Sequence, residues 1–293
     1  MSGVASGGSA AGIAVAFASS GVYFLGIAFF KVAASRMQRL LGAHVVHTAV
    51  QIITNRIWLL GALIMGLGVG LQLVALAALP LAIAEPVFVA GLIFLVAIAF
   101  GYFEERLSGG EWCCLLLMAA ASVMVAGSVT GSGGPGPSAP SPLMLAAVVV
   151  PSLVLPVALF SAGDLRPMGQ HARPLNGVAY GISAGILIGA AELAVKGLSE
   201  SRADAPATVY PYLFVAAGGL GVAQLQIALQ RCRMITVVFV ATVIAKTYLL
   251  IAATLLFGGG RVSVPVLTAG LLLIGLAVTI VPRHDTSATM PSA

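Results

Sequence analysis

The sequence predicts an all-α polytopic membrane protein, and three observations carry that expectation: composition, the length of the apolar runs, and an internal repeat. Of 293 residues, 60% are apolar and 8% are charged, and the mean hydropathy is +1.09. A soluble domain of this size cannot bury so much apolar surface. A bilayer core about 30 Å thick demands roughly 20 apolar residues per helix. Nine runs near that length stand between charged or Gly/Pro-rich breaks, at about 11 to 31, 57 to 78, 81 to 103, 112 to 130, 142 to 161, 175 to 197, 207 to 230, 233 to 257 and 264 to 282. Runs this long without polar alternation do not fit barrel strands of about ten residues.

The first run follows MSGVASGGSA, which lacks a basic n-region, and is itself followed by Lys31, Arg36 and Arg39. Insertion with the N-terminus outside is therefore expected. Threading nine spans from that start places Lys31, Arg36, Arg39, Arg56, Arg106, Arg166, Arg173, Arg231, Arg233 and Arg283 on the cytoplasmic side, together with the C-terminus. Arg202 and Arg261 fall outside, Lys196 lies at a helix end, and Lys246 lies within the eighth helix. The net charge of +5 is mostly this positive-inside bias, so no nucleic-acid partner is needed. Cys113, Cys114 and Cys232 fall on or near the cytoplasmic face, where thiols stay reduced. A bacterial plasma (inner) membrane is the expected location.

Two breaks organise the chain. Thr130 to Pro142, rich in Gly, Pro and Ser, reads as an outside linker between halves. The stretch 33 to 55 mixes Arg36, Arg39, His44, His47, Gln51 and Asn55 with apolar residues, as a cytoplasmic helix lying on the headgroups would; a tenth, poorly apolar span is the alternative. The tail 283 to 293 is expected to be disordered.

The repeat sets the architecture. Val87-Phe88-Val89-Ala90 recurs as Val238-Phe239-Val240-Ala241, and upstream Gly68-Val69 and Ala75-Leu76 match Gly221-Val222 and Ala228-Leu229. Lys31 and Lys196 close helices one and six, extending the pairing to helices one to four against six to nine. Residues 1 to 131 form the first repeat, 132 to 174 the linker and connector helix five, and 175 to 282 the second repeat. The spare helix inverts the second half relative to the first, a four-plus-one-plus-four inverted repeat of the kind that serves alternating access. The uncharged turn at Leu79-Pro80 and its basic counterpart Arg231-Cys232-Arg233 agree with inversion.

Residues 56 to 130 also carry a family resemblance, in Arg56-Ile57-Trp58, a Gly-rich helix, Ala78-Leu79-Pro80, Pro86 and Glu105-Arg106-Leu107 before a fourth helix ended by Gly and Ser. With these features the chain resembles the drug/metabolite transporter superfamily with its EamA-type domains. Its span count and the Pro80 to Pro86 spacing are most similar to the NIPA branch, a group associated with magnesium transport. The resemblance implies a carrier fold for most of the chain, and a magnesium or divalent cation cargo as an alternative to a metabolite.

Charged and amide residues inside the spans are the candidate pathway. Gly177, Gly181, Gly185 and Gly189 recur every four residues on helix six, a smooth strip on which another helix can pack closely. Glu192 and Lys196 continue that strip and should face protein. An intramembrane carboxylate marks an ion or proton path, the bland alternative being an i,i+4 pair with Lys196. Lys246 sits too deep to snorkel, so its ammonium needs a carboxylate, Glu192 or Glu85, unless it loses its proton or attracts an anionic cargo. Glu85 precedes Pro86 near the outer end of helix three, where it belongs to an outer gate or simply reaches interfacial water. Gln72, Gln224 and Gln226 lie at similar depth on helices two and seven, placed to hydrogen-bond cargo or to bridge helices. Glu104, Glu105 and Glu111 read as solvated cytoplasmic charges, and Trp58 as an interface anchor.

No Walker loop, GxSxG, HExxH or CxxC motif is present, so neither enzyme activity nor a cofactor is expected. The HxxH of His44 and His47 lacks further ligands at zinc spacing. The leading expectation is a secondary carrier or exporter of a small metabolite, proton-coupled, with Glu192 binding the proton and Lys246 setting affinity for cargo or carboxylate. Lys246 would oppose a divalent cation electrostatically. A non-transporting scaffold or lipid-binding subunit is the alternative of another class. The expected partners are the bilayer and a small-molecule or ion substrate, with a homodimer left open.

Overall fold

The structure of the protein, a computed structural model, describes residues 3–37, 45–79, 81–130, 140–165, 176–201, 208–257 and 261–280. Most of the expected linker, the tail, His44, Pro80, Arg39, Arg166, Arg173, Arg202 and the side chains of Glu85 and His47 lie outside the described residues. The described chain forms eleven helices and one pair of two-residue strands. In order they are α1 (Gly3–Arg36), α2 (Val45–Thr54), α3 (Arg56–Ala78), α4 (Leu81–Ala90), α5 (Leu92–Gly101), α6 (Gly109–Gly127), β1 (Val129–Thr130), α7 (Pro142–Leu165), α8 (Asn176–Ser201), α9 (Tyr210–Arg231), α10 (Met234–Phe257), β2 (Arg261–Val262) and α11 (Val264–Ile280).

Among the described residues, six helical stretches are long and apolar enough to cross a membrane: Ala10–Arg36, Arg56–Ala78, Gly109–Gly127, Gly177–Ser199, Tyr210–Arg231 and Met234–Phe257. The chain is thus a multi-pass α-helical membrane protein. The other three expected runs fall on the shorter apolar helices Pro86–Gly101, Pro142–Ala158 and Val264–Ile280. The run expected as one helix over 81 to 103 is two helices, α4 and α5, meeting in a turn at Gly91. Pro86 supplies no backbone donor within α4. At Gly91 the chain presses on α1 so closely that a Cβ would strike the Ser20 side chain.

Helix ends follow local chemistry. Asn55 Oδ1 accepts from the backbone N–H groups of Ile57 and Trp58, at 2.9 and 3.1 Å, and starts α3. Ser108 and Glu111 form a capping box at the start of α6. The turn before it places Glu104 in the left-handed region, at φ 52°.

The main packing partners are α1 with α3, α8 with α9, α8 with α10, and α6 with α11. Glycine permits the closest crossings. A Cβ on Gly26 would lie 2.8 Å from the Gly61 carbonyl oxygen, and one on Gly68 would lie 2.8 Å from the Tyr23 nitrogen. The α8 glycines back onto the turn before α10 and onto α10 itself: Gly177 meets Cys232 of the turn, Gly181 meets Val237, and a Cβ on Gly185 or Gly189 would lie 2.7 Å from Ala241 O or 2.8 Å from Ala245 O. Four-residue spacing on both helices makes one continuous seam. At one end of the bundle β1 pairs antiparallel with β2, Val129 opposite Val262, and ties α6 to α11.

The seam predicts a graded response. Gly185→Leu should destabilise the protein by about 1–3 kcal/mol through overpacking, lowering the melting temperature in detergent. Gly275→Ala, where a Cβ would meet nothing within 4 Å, should leave it unchanged or slightly raised. Equal melting temperatures for Gly185→Leu and the parent would refute the close crossing.

Candidate functional site

The glycine seam carries Glu192 and Lys246 into the same layer. Glu192 follows Gly189 on α8 by three residues, and Lys246 follows Ala245 on α10, so the helix contact that buries the seam also joins the two side chains. Lys246 Nζ donates to Glu192 Oε1 at 2.7 Å, with the side chains only 8% and 11% exposed. The ammonium also lies 4.6 Å from the centre of the Phe88 ring of α4, a cation–π contact that partly replaces lost hydration. Glu192 Oε2 is buried and meets no donor among the described residues.

The pair faces a cavity of about 30 Å³, room for about one water. Its walls come from α1, α3 and α4 on one side and α8, α9 and α10 on the other. Ser19, Ser20, Tyr23, Gln72 and Thr242 add hydroxyl and amide groups beside the two charges. A water-sized, largely closed space with this lining can hold a proton and a polar group away from bulk solvent, but is too small for a metabolite without movement of the helices.

The other candidate residues divide. Gln72 lines the cavity, and its Nε2 has no acceptor among the described residues. Gln224 and Gln226 are buried on α9 outside that wall. Gln226 bridges helices, donating to the Phe30 carbonyl of α1 at 3.2 Å. Lys196 is half-buried one turn beyond Glu192 and does not line the cavity. Glu85 sits in α4 immediately before Pro86. Tyr23, Ser19 and Ser20 escape sequence reasoning, because a hydroxyl within an apolar run carries no signal of which way it points.

The turn between α9 and α10 is a second polar cluster. Lys31 Nζ donates to the Leu229 and Cys232 carbonyls at 2.7 and 2.9 Å, closing the C-terminal end of α9 with a cation. The two Glu105 carboxylate oxygens accept from the Met234 and Ile235 N–H groups at 2.8 and 3.1 Å, closing the N-terminal end of α10 with an anion. Arg233 donates to Glu111 at 3.1 Å and to the Arg106 carbonyl at 3.1 Å. The expectation of solvated carboxylates is therefore corrected for Glu105 and Glu111: Glu111 is buried, and both are spent on fixing this turn.

No family model matches the chain, and neither a curated protein nor a solved structure shows significant similarity to it. The functional reading rests on the side chains themselves.

A buried ion pair broken at one end leaves an uncompensated charge, at a cost of about 3–5 kcal/mol. Lys246→Met alone should therefore lower thermal stability strongly, whereas Lys246→Met with Glu192→Gln should recover most of the loss. Additive effects in such a double-mutant cycle would show that the two charges do not interact.

Proposed function

We propose that this protein is a proton-coupled secondary carrier of a small metabolite, built as two inverted four-helix repeats around a connector helix, in the manner of the drug/metabolite transporter superfamily. The observation that carries the reading is the Glu192–Lys246 pair facing a polar cavity enclosed by helices of both repeats. Placing two charges in hydrocarbon depth is costly, and a simple anchor or scaffold gains nothing from it. The packing also supports the repeat. Helix α1 lies on α3 as α8 lies on α9, and α4 with α5 takes the place against α1 that α10 takes against α8. Six long and three shorter apolar helices correspond to nine spans.

Coupling follows from charge neutrality. Ionised Glu192 holds Lys246 and can accept from cargo; a proton on Glu192 weakens that hold and takes up the carboxylate, so proton and cargo compete for one group. No catalytic step belongs to this reading. A magnesium cargo has less support, because an ammonium already occupies the carboxylate at 2.7 Å. The expected test is transport in proteoliposomes: Glu192→Gln should abolish the dependence of uptake on a pH gradient. Unchanged pH dependence would refute the coupling role.

Alternating access requires one closed end. Charge threading places Lys31, Glu105, Arg233 and the α9–α10 turn on the cytoplasmic side, where their mutual bonds form a latch across the two repeats. In a Cys113→Ser background, which removes the exposed thiol, Lys31→Met should raise the rate at which maleimide labels Cys232 several-fold. An unchanged rate would remove the latch from the transport cycle.

A further inference from the structure

A second cavity, of about 460 Å³, lies beside the first between α3, α8 and α9, within the size range of small-molecule sites. Its lining is almost wholly apolar, including Trp58, Met65, Val69, Phe214 and Val222. Val215 of the spanning helix α9 and Ile53 of α2, both in its lining, are 71% and 61% exposed, so the chamber reaches the outer face of the bundle. Three glycines line it, and at two of them, Gly66 and Gly219, a Cβ would meet nothing within 4 Å. Tyr23, Ile188 and Glu192 form walls of both cavities.

Glu192 therefore stands between them, with Oε1 held by Lys246 and Oε2 buried without a donor among the described residues. Hydrocarbon filling the apolar chamber would leave that oxygen unsatisfied, which is costly. A cationic head would be repelled by the Lys246 ammonium, and an anionic head by the Glu192 carboxylate. A neutral head with a hydrogen-bond donor avoids both penalties.

We infer that the chamber binds an uncharged amphiphile, an apolar body with a hydroxyl or amide N–H that donates to Glu192 Oε2, entering from the bilayer between α3 and α9. Resting on the carrier reading, this names the class of its cargo. The chamber receives the body and the ion-pair cavity receives the head, so cargo and proton meet at one carboxylate.

Trp58 lines the chamber, and Trp112, the other tryptophan, is exposed on α6. The test uses full-length Trp112→Phe protein in nanodiscs and follows quenching of Trp58 fluorescence. The probes are nitroxide-labelled dodecanol, dodecyltrimethylammonium and dodecyl phosphate at equal bilayer content. Dodecanol should quench saturably and at least tenfold more tightly than either charged probe. Gly66→Leu with Gly219→Leu, which fills open space only, should abolish saturation. Glu192→Leu with Lys246→Met, which keeps the site neutral while removing the acceptor, should weaken dodecanol at least tenfold. Equal quenching by all three probes, preference for a charged one, or insensitivity to either double variant would overturn the inference. The two readings fail separately: loss of pH-coupled transport with saturable dodecanol binding sinks the carrier and keeps the site, and the reverse result sinks the site alone.

Discussion

The 2.7 Å contact between Lys246 and Glu192 sets the terms on which the surrounding helices pack. Neither charge can stand alone at this depth, so α8 and α10 must approach until the two side chains meet, and the approach is possible because α8 presents glycine to α10 at each turn. Phe88 of α4 and the hydroxyl-bearing face of α1 complete the surroundings of the ammonium and carboxylate. An arrangement that demands the same atoms for neutrality, for helix packing and for cavity shape cannot change one without disturbing the others.

The same physics governs the α9–α10 turn at a different scale. Where two helices end within a few residues, several carbonyl and N–H groups lose intrahelical partners, and in a largely apolar protein they cannot be left unsatisfied. Here the partners come from far along the chain: Lys31 for the end of α9, and Glu105 for the start of α10. Charge complements the helix dipole at both ends. Because the donors and acceptors belong to opposite halves, satisfying the turn also binds the halves together. In the proposed carrier cycle, opening this end breaks these bonds.

Beside the ion pair the walls are largely apolar. The large chamber offers mostly hydrocarbon-like walls with Glu192 at one edge, whereas the smaller cavity offers several polar groups and almost no space. Division of labour between an apolar compartment and a polar one, with Glu192 as their common wall, distinguishes this site from a water-filled ion path. In the proposed function the recognition element is a single buried acceptor, Glu192 Oε2, beside Lys246.

Membrane class and approximate span positions were legible in the sequence, because transfer of an apolar run into lipid is a local property of some 20 residues. The glycine strip on α8 and the importance of Glu192 and Lys246 were legible for similar reasons, helical periodicity and the cost of a charge in hydrocarbon. The meeting of Lys246 with Glu192 was not, since it depends on the crossing of α8 and α10, while the side chain of Glu85 lies outside the described residues. Gln72, Gln224 and Gln226 looked alike in sequence; rotation of α3 and α9 about their axes put the first in the cavity wall and the third against α1. Glu105 and Glu111 read as solvated because sequence shows charge but not the orphaned helix ends, more than a hundred residues away, that such charge can satisfy. Local energetics decided what enters the membrane, and only the packing of one helix on another decided which polar groups meet inside it.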